Sequence, residues 1–269
     1  MEESSTIRSA ANAACKRVKA VAAGRVADRI LLEGERLIDD GRRCDLELEL
    51  VLVSEERPEL VERWSAAGLP VRPVLAGIAE RLGTVKGSPG CVAVAVKPRT
   101  RGLDALLERN PGCLLLVVAG LADPGNLGAV ARSAEAAGVT ALAVVAGGVS
   151  PWNPKALRGS MGSLLRFDLA EVADAGELAR VLAARGFRQV RAATAGGAAP
   201  REVEWRGPAA LWVTSETGRL PDVGVELEPV TIPMAGRAES LNAAVATAVI
   251  LFQAAEARAV PRVPWEARR

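Results

Sequence analysis

Hydrophobic positions change rhythm along the chain, and the change separates two regions. In the first, apolar positions recur at helical spacing over residues 12–23, 33–39 and 58–67. Short β-branched or leucine-rich runs fall at 46–53, 71–74 and 91–96, which together predict an α/β unit. The stretch Lys97-Pro98-Arg99-Thr100-Arg101-Gly102 then interrupts the pattern with Pro, Gly and unpaired charge, the chemistry of a linker. We therefore expect a first domain at 1–99, a linker at 100–111 and a second domain at 112–269. In the second region near-continuous apolar runs at 113–119, 141–145, 167–170, 189–193, 209–214 and 230–232 alternate with helical patterns at 127–137, 154–161, 175–184 and 240–257. Unbroken runs such as Leu114-Leu115-Leu116-Val117-Val118-Ala119 suit a sheet covered on both faces. Strand–helix alternation predicts a parallel, doubly wound sheet. Ser240 is expected to cap the last helix, which should bury Leu241, Val245, Val249 and Phe252.

Three polar segments sit where these apolar runs end. They are Pro124-Gly125-Asn126-Leu127-Gly128 with Arg132 behind it, Ser215-Glu216-Thr217-Gly218, and Ile232-Pro233-Met234-Ala235-Gly236 running into Glu239-Ser240-Leu241-Asn242. In open parallel sheets that edge is where ligands bind. The first segment has neither the G-x-x-x-x-G-K-[ST] phosphate loop nor a complete G-x-G-x-x-G. The next strand closes on Ala146-Gly147-Gly148 rather than on a ribose-binding acid, which argues against a nicotinamide enzyme. Asn126 and Arg132 are close enough in sequence to serve one pocket, or else to be a helix cap and a surface cation. Glu216 reads equally as a ligand-ordering acid or a turn acid. An amide such as Asn242, so early in an apolar helix, wants a partner.

Composition narrows the chemistry. The 269 residues include no His and no Tyr, so the commonest general base is absent. Cys15, Cys44, Cys91 and Cys113 form no C-x-x-C pair and read as buried, inert thiols, so no metal is expected. The net charge of +2 says little. Its distribution says more: acid-free stretches carry Arg8, Lys16, Arg17, Lys19 and Arg25, then Arg81 to Arg101, then Lys155, Arg158 and Arg166. Such stretches fit a polyanion on one face, or simply solvated helix faces. The acidic N-terminus lacks a signal-peptide pattern, and 241–255 is too short and too polar to span a bilayer, so a cytoplasmic protein without a membrane partner is expected.

The order and spacing of the segments resemble one family. Asn-x-Gly-x-x-x-Arg, then Asn-Pro-Lys-x-x-Arg-x-Ser-Met-Gly, then a Glu-x-x-Gly loop, then Ile-Pro-Met-x-Gly-x-x-x-Ser-Leu-Asn is similar to the SpoU/TrmH RNA 2′-O-ribose methyltransferases, over roughly 114–257. One departure stands out: Thr214-Ser215-Glu216-Thr217 replaces the family's Gly-Asn-Glu-Gly. The first hundred residues look like the family's ribosomal-protein-like substrate-binding domain, on Asn12, Glu33-Gly34 and Gly90-Cys91-Val92-Ala93. The resemblance implies a C-terminal trefoil-knotted methyltransferase domain beside a smaller α/β RNA-binding domain, and a homodimer. It implies S-adenosylmethionine held by Thr194, Ala195, Gly196, Ser215, Glu216, Thr217, Gly218, Ile232, Pro233, Met234 and Leu241. Working residues map to Asn126, Arg132, Glu216, Ser240 and Asn242, and Arg8, Lys16, Arg17, Lys155 and Arg158 are candidates for RNA phosphates. A guanidinium keeps its proton, so Arg132 is expected to grip a phosphate beside the target ribose rather than act as the base.

The implied reaction is methylation of a ribose 2′-hydroxyl. Ribosomal RNA is the favoured target, because an added binding domain suits a large structured RNA read by shape and backbone. Transfer RNA, a role in antibiotic resistance, and a non-catalytic RNA-binding module that kept the fold remain open alternatives at this point.

Overall fold

Local signals decide where the elements of the first region begin and end. The computed structural model describes residues 6–84, 90–214, 220 and 222–260. Helix α1 (Ala13–Ala22) starts where the Asn12 side chain accepts the Ala14 amide at 2.9 Å, an N-cap. Strand β1 (Arg29–Glu33), helix α2 (Glu35–Arg43), strand β2 (Leu48–Ser54) and helix α3 (Pro58–Ala66) follow, with Pro58 at the first turn, where its missing N–H costs nothing. Strand β3 (Val71–Val74), the single turn α4 (Ala76–Ala79) and strand β4 (Cys91–Val96) complete the set. The sheet order is β1-β4-β2-β3, with β4 antiparallel to both neighbours and β3 parallel to β2. Cys15, Val18 and Val21 of α1 pack with Ile78, Leu31, Leu52 and Val94 in one core. The strand at 29–33 was not expected, and Glu33 ends it rather than opening a helix. Ile30-Leu31-Leu32 is too short a run to declare itself.

The second region opens with helix α5 (Leu103–Arg109), inside the stretch expected to be a linker. Its Leu106 and Leu107 are buried, so 103–109 is part of the packed structure. Then come β5 (Leu114–Ala119), α6 (Pro124–Ala136) and β6 (Ala141–Val145). Two short helices, α7 (Pro154–Gly159) and α8 (Ser163–Arg166), precede β7 (Asp168–Val172), α9 (Ala175–Ala184), β8 (Arg188–Ala192), β9 (Ala209–Thr214), β10 (Glu228–Val230) and α10 (Ala243–Ala257). The six strands form one sheet in the order β10-β8-β9-β5-β6-β7, and every pair in it is parallel. Alternate residues Leu115, Val117 and Ala119 of β5 pack with Leu106 of α5 and Leu178 and Leu182 of α9. Residues 114, 116 and 118 are equally buried, so the continuous apolar run does reflect burial on both faces.

The chain divides into two units, Met1–Arg99 with Pro151–Arg166, and Thr100–Ser150 with Phe167–Arg269. Residues 151–166, expected within the second domain, thus belong to the first. Helix α7 packs against β1, and Arg158 meets the fully buried Glu33 carboxylate at 3.3 Å, while Glu33 also accepts the Thr84 amide at 2.9 Å. Arg166 pairs with the buried Asp40 at 3.4 Å. A buried carboxylate is tolerated only when paired in this way.

Helix α10 corrects two expectations. Its cap is Asn242, whose Oδ1 accepts the Ala244 and Val245 amides at 2.9 and 3.3 Å, and Ser240 lies two residues before it, exposed. The buried face is Ala243, Ala244, Thr247, Ile250, Leu251 and Ala254, whereas Val245 is 50% and Phe252 53% exposed. The helix is apolar almost all round, so its sequence does not say which face turns inward. At its end, Arg258 donates to the carbonyls of Trp205, Gly207 and Gly112, tying the helix terminus to the loops before β9 and β5.

Candidate active site

Two loops beyond the sheet's C-terminal edge are shaped by β10. After β8 the chain turns outward at Thr194, Ala195 and Gly196, all exposed, and returns so that Ala198 bridges Val230. The Gly197 amide donates to Thr231 Oγ1 at 3.1 Å. A side chain at 197 would collide with the Pro229 carbonyl, so only glycine allows this close return. The second loop runs from Thr231 to Leu241 and leads into α10. Between the loops, beyond the ends of β8 and β9, lies a pocket of about 520 Å³.

Five of the residues expected to hold a cofactor line this pocket: Thr194, Ala195, Ile232, Met234 and Leu241, together with Ser240 from the working set. Gly196 and Pro233 sit in the same two loops without lining it. Ser215, Glu216, Thr217 and Gly218 lie outside the described residues. Thr214 and Glu239, which belong to the segments singled out in the sequence without a role of their own, also line it, and the rest of the lining escaped sequence reasoning: Arg191, Ala192 and Ala193 on β8 and just after it, Val213 on β9, Leu220, and Ala243, Ala246 and Ile250 of α10. Arg191 and Thr214 carried a usable signal, since Arg191 is next to last in β8 and Thr214 closes β9, at the edge where ligands gather.

Asn126 and Asn242 are brought together. Asp123, not Asn126, caps α6, accepting the Asn126 amide at 2.8 Å, so Asn126 falls in the first turn. Its side-chain Oδ1 accepts from Asn242 Nδ2 at 3.0 Å, across 116 residues of sequence. The N-terminal ends of α6 and α10 therefore meet at this bond, and both present the positive ends of their dipoles. Asn242 thus has the partner its position demanded, while its Oδ1 caps α10. Arg132, further along α6, is exposed and has no side-chain partner among the described residues.

Residues 113–252 match the family model described as the SpoU rRNA methylase family. The chain belongs to the SpoU rRNA methylase family. Among proteins similar to this SpoU methylase chain is the 23S rRNA (guanosine-2′-O-)-methyltransferase RlmB of Xanthomonas axonopodis, 32% identical over 206 residues, or 74% of this chain and 83% of that protein. An uncharacterized tRNA/rRNA methyltransferase of Synechocystis is 28% identical over 84% of this chain and 83% of its own length. Among solved structures, the SpoU methyltransferase AviRb of Streptomyces viridochromogenes, in complex with AdoMet, superposes with a TM-score of 0.79 at 26% identity, covering 91% of this chain and 98% of that one.

The expected phosphate contacts of this SpoU-family chain divide. Arg8, Lys16 and Lys155 are exposed. Arg17 instead makes a two-pronged pair with Glu49, at 2.8 and 2.9 Å, and Glu49 also accepts from Arg29 at 2.6 Å. The hydrogen bonds from Arg17 and then Arg29 hold the Glu49 carboxyl down to about 2. Arg158 is committed to Glu33. Both therefore have structural partners that sequence could not supply. Burial pushes the Cys91 and Cys113 thiols up to about 12 and 11, which leaves them protonated and unreactive at neutral pH. Among the described residues no helix is long and apolar enough to cross a membrane.

Proposed function

We propose that this chain transfers a methyl group from S-adenosylmethionine to a ribose 2′-hydroxyl of ribosomal RNA. The observation that carries the reading is the pocket past β8 and β9 with the Asn126–Asn242 bond at the head of the helix that helps line it. Its volume falls within the roughly 300–1,000 Å³ of small-molecule sites. Its walls suit this cofactor. Ala193, Ala195, Ile232, Leu241 and Ile250 offer apolar contact for an aromatic base, and the loop backbones offer amides and carbonyls to its edges. Thr194, Ala195, Ile232, Met234 and Leu241 would hold it, with Gly196 and Pro233 shaping the loops and Ser215–Gly218 adding the contacts implied by the resemblance. When bound, S-adenosylmethionine supplies an electrophilic methyl group on a sulfonium centre.

The chain's own groups do the rest. The exposed Arg132 grips a phosphate next to the target ribose, fixes the hydroxyl and stabilises the negative charge that grows on its oxygen. A guanidinium holds its proton at any working pH, so the hydroxyl proton leaves to that phosphate or to water. Asn242 fixes the Asn126 amide, and Asn126 and Ser240 orient the ribose. Arg8, Lys16 and Lys155, all on the first unit, contact the RNA backbone and set register rather than base identity.

The same reading includes a trefoil knot formed by the C-terminal segment and a homodimer. Support for the knot is the strand order, in which the chain crosses from β9 past β8 to β10 and then returns to pack α10 on α6. Such threading is a rare exception among folds. Support for the dimer is the solvent-facing Val245 and Phe252, seven residues apart on one side of α10, a stripe that a second copy would cover.

The test is transfer of labelled methyl to total RNA, with 2′-O-methyl sites mapped in host RNA with and without this gene. Arg132→Ala should abolish transfer and leave cofactor affinity within about threefold. Methyl appearing on a base, or on transfer RNA alone, refutes the assignment. Binding without transfer to any RNA favours a non-catalytic module.

A further inference from the structure

We infer that Arg191 is a ligand-recognition residue of this pocket, receiving the carboxylate of the cofactor's amino-acid portion. Among the described residues lining the pocket Arg191 is the one cation. It occupies the next-to-last position of β8, opposite Trp212 of β9 and Pro229 of β10, and is half-buried. The two-residue period of a strand puts it on the same face as Gln189. Gln189 is fully engaged there: its Nε2 donates to the Ala179 carbonyl at 2.9 Å and its Oε1 accepts from Trp212 Nε1 at 3.2 Å. Arg188, three residues earlier, pairs with Glu228 on the neighbouring strand at 2.5 Å. Arg191 alone of these has no side-chain partner among the described residues.

A half-buried guanidinium has lost part of its water and carries five N–H donors in a planar fork, which matches a carboxylate two bonds at a time. Of the charged groups on S-adenosylmethionine, two are cationic, the sulfonium and the ammonium, and one is anionic, the carboxylate. Only the carboxylate complements Arg191. The role rests on the reading of the pocket given under the proposed function, and adds to it which end of the ligand the β8 side of the site takes.

The experiment is calorimetric titration of the full chain and of Arg191→Gln with three ligands: S-adenosylmethionine, S-adenosylhomocysteine, and 5′-methylthioadenosine, which lacks the amino-acid portion. Arg191→Gln should weaken the first two by about tenfold and leave the third within about twofold. Arg191→Lys should recover part of the loss. Unchanged thermal unfolding of both variants checks that the site is intact. Equal weakening of all three ligands, or no weakening, overturns the inference alone. Wild-type protein that binds none of the three overturns the reading of the pocket, and the inference with it. Loss of RNA affinity with normal cofactor affinity also overturns it, reassigning Arg191 to the substrate.

Discussion

Asn242 performs two jobs through two different atoms, so substitutions can take them apart. Its Oδ1 caps α10 through the Ala244 and Val245 amides, and its Nδ2 donates to Asn126. Asn242→Ala removes both. Loss of the cap costs about 1 kcal/mol, and loss of a part-exposed side-chain bond about 0.5–1 kcal/mol more, so the variant should be about 1.5–2 kcal/mol less stable. Asn242→Asp keeps an equally good cap and places a negative charge at a helix N-terminus, which stabilises by about 0.3–0.5 kcal/mol. A carboxylate cannot donate, however, so the Asn126 amide must turn its own N–H₂ toward residue 242 and present its oxygen elsewhere. Stability should then stay within about 0.5 kcal/mol of wild type. Single-turnover methyl transfer should fall at least about tenfold, because Asn126 now offers reversed polarity to the ribose. Urea unfolding at constant m reads the first quantity, and rapid-quench transfer reads the second. An aspartate variant as unstable as the alanine one, or one that is fully active, would refute the division of labour.

Two further outcomes test the first unit. Glu33→Ala removes a fully buried acceptor from the Thr84 amide and from Arg158, and should destabilise by about 3 kcal/mol, with Glu33→Gln costing less because it still accepts from Thr84; chemical denaturation compares the two. Glu49, held at about 2 against its ordinary 4.5, binds protons more weakly folded than unfolded, so its stabilisation is complete above about pH 4.5 and is lost as pH falls toward 2. Glu49→Gln should therefore flatten the decline of stability between pH 4.5 and 2, and an unchanged acid limb in unfolding experiments would contradict the pairing with Arg17 and Arg29.

Much of the second unit was legible because its strands are buried on both faces. Runs such as 114–119 and 209–214 have no polar alternation to misread, and parallel order follows from the helices between them. Legibility failed where one element satisfies several patterns. Helix α10 is apolar on nearly every face, so the buried Thr247 stripe and the exposed Phe252 could not be told apart from spacing. The linker reading of 100–111 failed because the short α5 draws its stability from packing Leu106 and Leu107, not from a long periodic pattern. At the site, residue types and loop positions were visible, but convergence was not: no local rule joins Asn126 to Asn242 across 116 residues. The pairing of Arg17 with Glu49 and of Arg158 with Glu33 was hidden for the same reason, and it gives carboxylate partners within the fold to two cations that charge counting had offered to RNA.

The return of residues 151–166 to the first unit bears on how such proteins can be rearranged. A gene breakpoint after Arg99 would leave the leading module without α7, and so without the guanidinium that neutralises Glu33 in its interior. Exchanging that module between relatives thus requires two coordinated joins rather than one, so recombination should favour swaps that carry this insert along, and unpaired charge would penalise those that do not.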